Sequence, residues 1–155
     1  MKTAVVYYTR FGHNAIIAEA AAQELGAPSV RIETVLQYGY AMMGFHSFFN
    51  LDMRLKPVRT DFRDCGLVLL CTPVWAWKPA SPARTFLKAA KLPARLAVCF
   101  STKGGPTQRA QEKLGQLLAG RGLTVVAYGE IDIRPGDRER LRREAREFAR
   151  RAQDA

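Results

Sequence analysis

Five short apolar runs, each bounded by turn residues, recur along this sequence. They cover about residues 3–8, 29–33, 66–72, 95–101 and 123–131. Within residues 67–71 and 96–100, apolar side chains occupy successive positions and do not alternate with polar ones. A strand with this pattern is buried on both faces, as in a parallel sheet that helices cover. The runs therefore predict the strands of a parallel sheet.

Helical patterns separate and follow these runs. They are expected at about residues 14–25, 38–53, 106–119 and 137–152. The last pattern carries an apolar stripe of Leu141, Ala145, Phe148 and Ala152, and we expect that stripe to face the core. Strands that alternate with helices indicate an open, doubly wound α/β domain, because parallel neighbours need crossover helices. We predict a single domain over residues 1–155, with helices on both faces of a five-stranded sheet.

This fold class also predicts where a ligand binds, namely outside the carboxyl ends of the strands. The loop after the first strand, residues 9–14, leads directly into a helix. Free backbone N–H groups at such a turn attract anions, and Gly12 allows close approach of the backbone. The loop lacks the glycine signatures of dinucleotide and nucleoside triphosphate sites. A single terminal phosphate is the expected anion, although the same residues also fit an ordinary turn.

Two further loops fall at the same end of the predicted sheet. After the third strand, Trp75 and Trp77 stand among three prolines and present flat surfaces suited to a planar heterocycle. The alternative is that one or both tryptophans pack on the core. After the fourth strand, Gly104 and Gly105 leave backbone N–H groups accessible to a ring carbonyl. An anion turn, an aromatic loop and a glycine loop at one edge together predict a binding site there.

Two segments carry a resemblance to a known family. T-P-V-W at residues 72–75, with Pro79, Pro82 and then R-T-F-L at residues 84–87, is similar to a stretch of short flavodoxin-family proteins. F-S-T-K-G-G at residues 100–105 is similar to the F-S-T-x-G-G segment of that family. The chain thus resembles the flavodoxin family over nearly its whole length. The resemblance implies a flavodoxin-like sheet of strand order 2-1-3-4-5 with FMN at the switch point.

The resemblance also implies roles for individual residues. The first loop would hold the phosphate of FMN, and the second and third loops would hold its ring. The implied cofactor-binding residues are Thr9, Arg10, Phe11, Gly12, His13, Asn14, Pro73, Val74, Trp75, Ala76, Trp77, Ser101, Thr102, Lys103, Gly104 and Gly105. Phe11 and Asn14 replace hydroxyl residues of the family pattern, and each lost hydrogen bond to phosphate is worth about 1.5–3 kcal/mol. Weak binding or loss of FMN therefore stays open. No catalytic side chain and no metal site are expected.

The charge of the chain is unevenly distributed. The sequence has 24 Lys and Arg residues against 14 Asp and Glu, a net charge of +10. Residues 54–109 carry 11 of the basic residues and 2 of the acidic ones, and Arg10, Lys78, Arg84, Lys103 and Arg109 lie in or just after the three loops. Positive charge near a flavin stabilises its reduced anion, so we expect two-electron chemistry. Nucleic acid is disfavoured as a partner, because the arginines of the last helix pair with glutamates four residues away.

The segment 38–53 is rich in aromatic residues. Tyr38, Met42, Phe45 and Phe49 share one helical stripe, which we expect to pack on the sheet as a crossover helix. The apolar residues left over, Tyr40, Met43 and Phe48, would pair two subunits or line a quinone pocket.

Together these features predict an FMN-dependent oxidoreductase. It would pass electrons from NAD(P)H or a partner protein to a small acceptor such as a quinone. Two alternatives remain open: an electron carrier that docks an acidic redox protein, and a flavin-free binding domain. Three cysteines without a disulfide pattern, and no run long enough to span a membrane, predict a cytoplasmic protein.

Overall fold

Strands and helices follow one another along the chain. A computed structural model describes residues 1–37, 39–134 and 137–155. The strands are β1 (Thr3–Tyr8), β2 (Ser29–Ile32), β3 (Leu67–Trp75), β4 (Lys78–Pro79), β5 (Arg95–Thr102) and β6 (Thr124–Asp132). The helices are α1 (His13–Leu25), α2 (Tyr40–Phe48), α3 (Ser81–Ala89), α4 (Gln108–Leu118) and α5 (Arg138–Asp154).

The five long strands form one parallel sheet in the order β2-β1-β3-β5-β6. This is the predicted order 2-1-3-4-5 once the additional strand β4 is set aside. β4 is two residues long and pairs antiparallel with the end of β3. The strand order reverses between β1 and β3, so the loops that leave these strands diverge and open a crevice at their carboxyl ends.

Residues of β1 alternate between two hydrophobic cores. Ala4 and Val6 belong to the core that α3 and α4 cover, whereas Val5 and Tyr7 belong to the core under α1 and α5. This alternation follows from the two-residue period of a strand. The predicted stripe of α5 is buried in the second of these cores. Helices therefore lie on both faces of the sheet, as predicted.

The predicted packing of the aromatic segment is wrong. In α2, Met43 is buried, while Met42, Phe45 and Phe49 of the expected stripe are about half exposed. The helix contacts α3 and β3, and the core on that face is already filled by α3 and α4. α2 therefore covers no large part of the sheet. Tyr38, assigned to the same stripe, and the side chain of Tyr40 lie outside the described residues.

Within the described ranges, no helix combines the length and hydrophobicity that crossing a membrane requires.

Candidate functional site

The loops that follow β1, β3 and β5 meet around one cavity of about 470 Å³. This volume lies within the range of small-molecule and cofactor sites. All of the predicted site residues except Gly12 and Gly104 line it. Met43, which the sequence assigned to a subunit contact or a quinone pocket, also lines it, as do two residues that the sequence did not single out, Pro106 and Ile133.

A short-range hydrogen bond closes the first loop. The backbone N–H of Gly12 donates to Thr9 Oγ1 at 2.9 Å, which leaves the hydroxyl hydrogen of Thr9 for another acceptor. Gly12 has a φ of 96°, a left-handed conformation that glycine adopts without strain. Among the described residues, no side chain caps the start of α1. The first N–H groups of α1 therefore remain accessible to an anion.

Asn14 joins the first loop to the third. Its side chain is only 2% exposed, and Nδ2 donates to Ser101 Oγ at 2.7 Å. Asn14 Oδ1 is buried and has no hydrogen-bond partner among the described residues. Because buried polar atoms are rarely left unpaired in a native protein, this amide points to a ligand in the cavity.

The second loop is a two-residue β-hairpin turn. Trp75 pairs with Lys78 across the hairpin, and the central residues Ala76 and Trp77 have φ angles of 49° and 61°. Trp75 packs edge-on against Tyr8, with ring centroids 5.5 Å apart. Trp77 is 56% exposed, and the Arg109 guanidinium lies 5.2 Å from the centre of its ring. Both tryptophans line the cavity, and it is Trp75 that packs against the core.

Gly104 shapes the third loop, although it does not line the cavity. Gly104 has a φ of 88°, and its N–H donates to Thr102 Oγ1 at 3.2 Å. A Cβ atom at this position would overlap the guanidinium of Arg134. Asp132 holds that guanidinium in place, with an Nη2–Oδ2 distance of 2.6 Å. Gly104 thus allows the loop to pass close to Arg134.

The charged residues near the three loops have different environments. Arg10, His13 and Lys103 line the cavity, and its described lining includes no aspartate or glutamate. Arg84 has a different position: its guanidinium is buried, and Nε donates to Pro79 O at 3.1 Å while Nη1 donates to Asn50 Oδ1 at 3.0 Å. Burial lowers the pKa of Arg84. Arg84 does not line the cavity, and its guanidinium donates to neutral groups that include the Pro79 carbonyl and Asn50.

Known proteins resemble this chain in structure more than in sequence. No protein-family model matches it, and no curated protein matches its sequence. Solved structures do match. A flavoprotein from Lactobacillus acidophilus, in complex with FMN, shares 18% identity over 89% of this chain and 98% of its own, with a TM-score of 0.68. Flavodoxin 2 from Bacillus cereus, in its oxidised form, shares 16% identity over 99% of each chain, with a TM-score of 0.64. The chain has a flavodoxin-like fold.

A third structure extends the comparison. A flavodoxin, WrbA-like protein from Agrobacterium tumefaciens shares 19% identity over 99% of this chain and 98% of its own, with a TM-score of 0.57. At these identities the shared property is the fold, which the sequence predicted.

The lining residues that the sequence missed differ in how they could have been found. Pro106 directly follows the glycine loop, so extending that loop by one residue would have included it. Ile133 follows the last strand of the flavodoxin-like sheet, and its N–H donates to Thr102 O at 2.9 Å. Met43 was expected either at a subunit contact or in a pocket, and the packing of α2 turns its side chain inward to line the cavity.

Proposed function

We propose that this flavodoxin-like chain binds FMN in the cavity between its three loops and works as a two-electron oxidoreductase. The observation that carries the proposal is the buried amide of Asn14, which has an unpaired oxygen in a cavity lined by aromatic and basic residues. The structural likeness to a flavoprotein that binds FMN supports it.

The first loop suits the phosphate of FMN. The accessible N–H groups at the start of α1 and the positive charge of Arg10 attract an anion. The Asn14 amide can rotate by half a turn, so that the Ser101 hydroxyl donates to Oδ1 and Nδ2 faces the cavity as a donor. In this way Asn14 would replace one of the hydroxyl groups that the loop lacks.

The second and third loops suit the ring of FMN. Trp75, Trp77 and Pro73 offer flat apolar surfaces, and Gly105 leaves the backbone of the third loop accessible. The bound flavin would supply hydride and electron transfer. Arg10 and Lys103 stabilise negative charge in the cavity, because charges at short range interact strongly at a partly desolvated site. Two-electron reduction, which leaves an anion, is favoured by this arrangement.

Binding is tested by titrating the purified protein with FMN and, separately, with riboflavin, which lacks the phosphate. We expect FMN to bind more tightly than riboflavin. Asn14→Asp keeps the side-chain shape but places a carboxylate at the phosphate position. The loss of one hydrogen bond to a charged group predicts about a 10- to 150-fold weaker FMN affinity, with little change for riboflavin. Equal affinities for the two flavins, or equal losses in the variant, would contradict the phosphate assignment.

Steady-state oxidation of NAD(P)H by the FMN-loaded protein, with a soluble quinone as acceptor, tests the enzyme. Turnover supports the oxidoreductase. FMN binding without turnover favours the electron carrier that docks an acidic protein, and no flavin binding at all favours the flavin-free domain.

A further inference from the structure

An exposed cluster of aromatic side chains lies beside the mouth of the cavity. We define this aromatic patch as Phe45, Phe48, Phe49 and Trp77, which are 48%, 63%, 56% and 56% exposed. Phe49 contacts both of the other phenylalanines, with ring centroids 4.8 Å and 5.1 Å away. Phe48 and Trp77 border the same shallow pocket. Aromatic side chains of this size expose roughly 450 Å² in total, an area typical of functional patches on monomers.

The exposure of the patch is a fixed feature of the fold. Lys78 Nζ donates to Phe48 O at 3.0 Å and to Asn50 Oδ1 at 2.9 Å, directly where α2 ends. The buried Arg84 guanidinium also donates to Asn50 Oδ1. These bonds tie the end of α2 to α3 and to the β3–β4 hairpin. The chain that carries the rings is therefore anchored at the end of α2, through Asn50, by the buried Arg84 cation.

Basic side chains surround the pocket between Phe48 and Trp77. Lys78, Arg109 and Lys113 line it, and no acidic residue does so among the described residues. Asp52, four residues beyond the end of α2, is paired with Lys88 at 2.8 Å. Glu112 lies next to Lys113 on α4. Like charges around the patch oppose its burial against a second copy of this chain.

We propose that the aromatic patch docks this protein on an anionic lipid surface. Lipid docking needs only apolar rings that enter the interface and cations that meet the headgroups. The phenylalanines of the patch offer no side-chain hydrogen-bonding group that a protein partner would have to match. The surrounding lysines and arginine complement negative charge.

Docking would bring the cavity close to the membrane, because Trp77 belongs to the patch and also lines the cavity. A lipid-soluble electron acceptor, such as a quinone, could then reach the cavity from the membrane. This last step rests on the proposed function, whereas the docking itself needs no cofactor.

Flotation of the full chain with vesicles tests the proposal without FMN, so its failure is distinguishable from failure of the proposed function. We expect binding to vesicles of phosphatidylcholine mixed with phosphatidylglycerol, little binding to phosphatidylcholine alone, and weaker binding at high salt. The double variant Phe45→Ser and Phe48→Ser should lose binding. Leu36→Ser, which removes an equally exposed apolar residue next to β2 and outside the patch, should retain it.

A second pair of variants tests the charges. Lys113→Glu should weaken vesicle binding by at least roughly fivefold. The control is Arg143→Glu, which makes the same change of charge on α5, on the other face of the sheet. It should weaken binding less. Thermal unfolding checks that all variants fold. Equal binding to neutral and anionic vesicles, or no loss in the phenylalanine variant, would overturn the proposal. The proposal would also be overturned if the protein does not bind vesicles and instead forms a dimer that depends on Phe48, or binds an acidic protein.

Discussion

The turn between β3 and β4 should become more stable when Ala76 is replaced by glycine. Ala76 and Trp77 are the two central residues of this hairpin, and both have left-handed φ angles, 49° and 61°. Turns with two positive φ angles strongly favour Asn-Gly, because Cβ atoms crowd the backbone in this conformation. The chain places alanine and tryptophan there instead. The hairpin therefore stores backbone strain beside the cavity.

The magnitude follows from two opposing terms. An L-residue in the left-handed region costs about 1–2 kcal/mol, which Ala76→Gly would relieve. Glycine also gives the unfolded chain more freedom, at a cost of about 0.4–1 kcal/mol. We expect a net gain in unfolding free energy of roughly 0.5–1 kcal/mol. In a chain of this length that corresponds to a rise in Tm of about 1–4 °C.

Urea unfolding followed by circular dichroism measures the effect. Gly120→Ala provides the converse control, because Gly120 has a φ of 77° and a Cβ atom there would meet only open space. It should lower the unfolding free energy by roughly 0.5–1 kcal/mol, because the same two terms apply with opposite sign. If Gly120→Ala destabilises the fold while Ala76→Gly leaves it unchanged or weakens it, the strain assigned to the hairpin is refuted.

Three further variants test packing, helix propensity and pH dependence. Gly129→Ala would place a Cβ atom 2.6 Å from the Phe148 ring and should cost about 1–3 kcal/mol in urea unfolding; Gly115→Ala, in open space on α4, should instead stabilise by about 0.5–1 kcal/mol. Hydrogen bonds from Arg63 lower the pKa of Asp61, so Asp61→Asn should destabilise the fold at neutral pH. That difference from wild type should shrink below the ordinary aspartate pKa and vanish as the pH falls through the lowered pKa of the folded state. A difference that persists in acid would contradict the assignment.

The strands and the three loops were predictable because their signals are local or follow from topology, whereas the sheet order came from the family resemblance. Apolar runs such as residues 67–71 indicate burial on both faces, whatever packs against them. Loops after neighbouring parallel strands meet at one edge of a sheet. Together with the family resemblance, these rules place Asn14, Trp75 and Ser101 at one site, and all three line the same cavity.

The orientation of α2 depended on packing across the whole domain. Helical periodicity identifies a stripe such as Phe45 and Phe49, but a stripe does not reveal whether any surface is left for it to cover. α3 and α4 fill the core on that face, so the phenylalanines stay outside and Met43 turns inward. Likewise, the positive charge of Arg84 was evident, whereas its role in tying Asn50 to α3 arises from contacts distant in sequence. The orientation of α2 and the contacts of Arg84 depend on which surfaces and hydrogen-bond partners remain available after the core has packed. These are defined only in the folded chain.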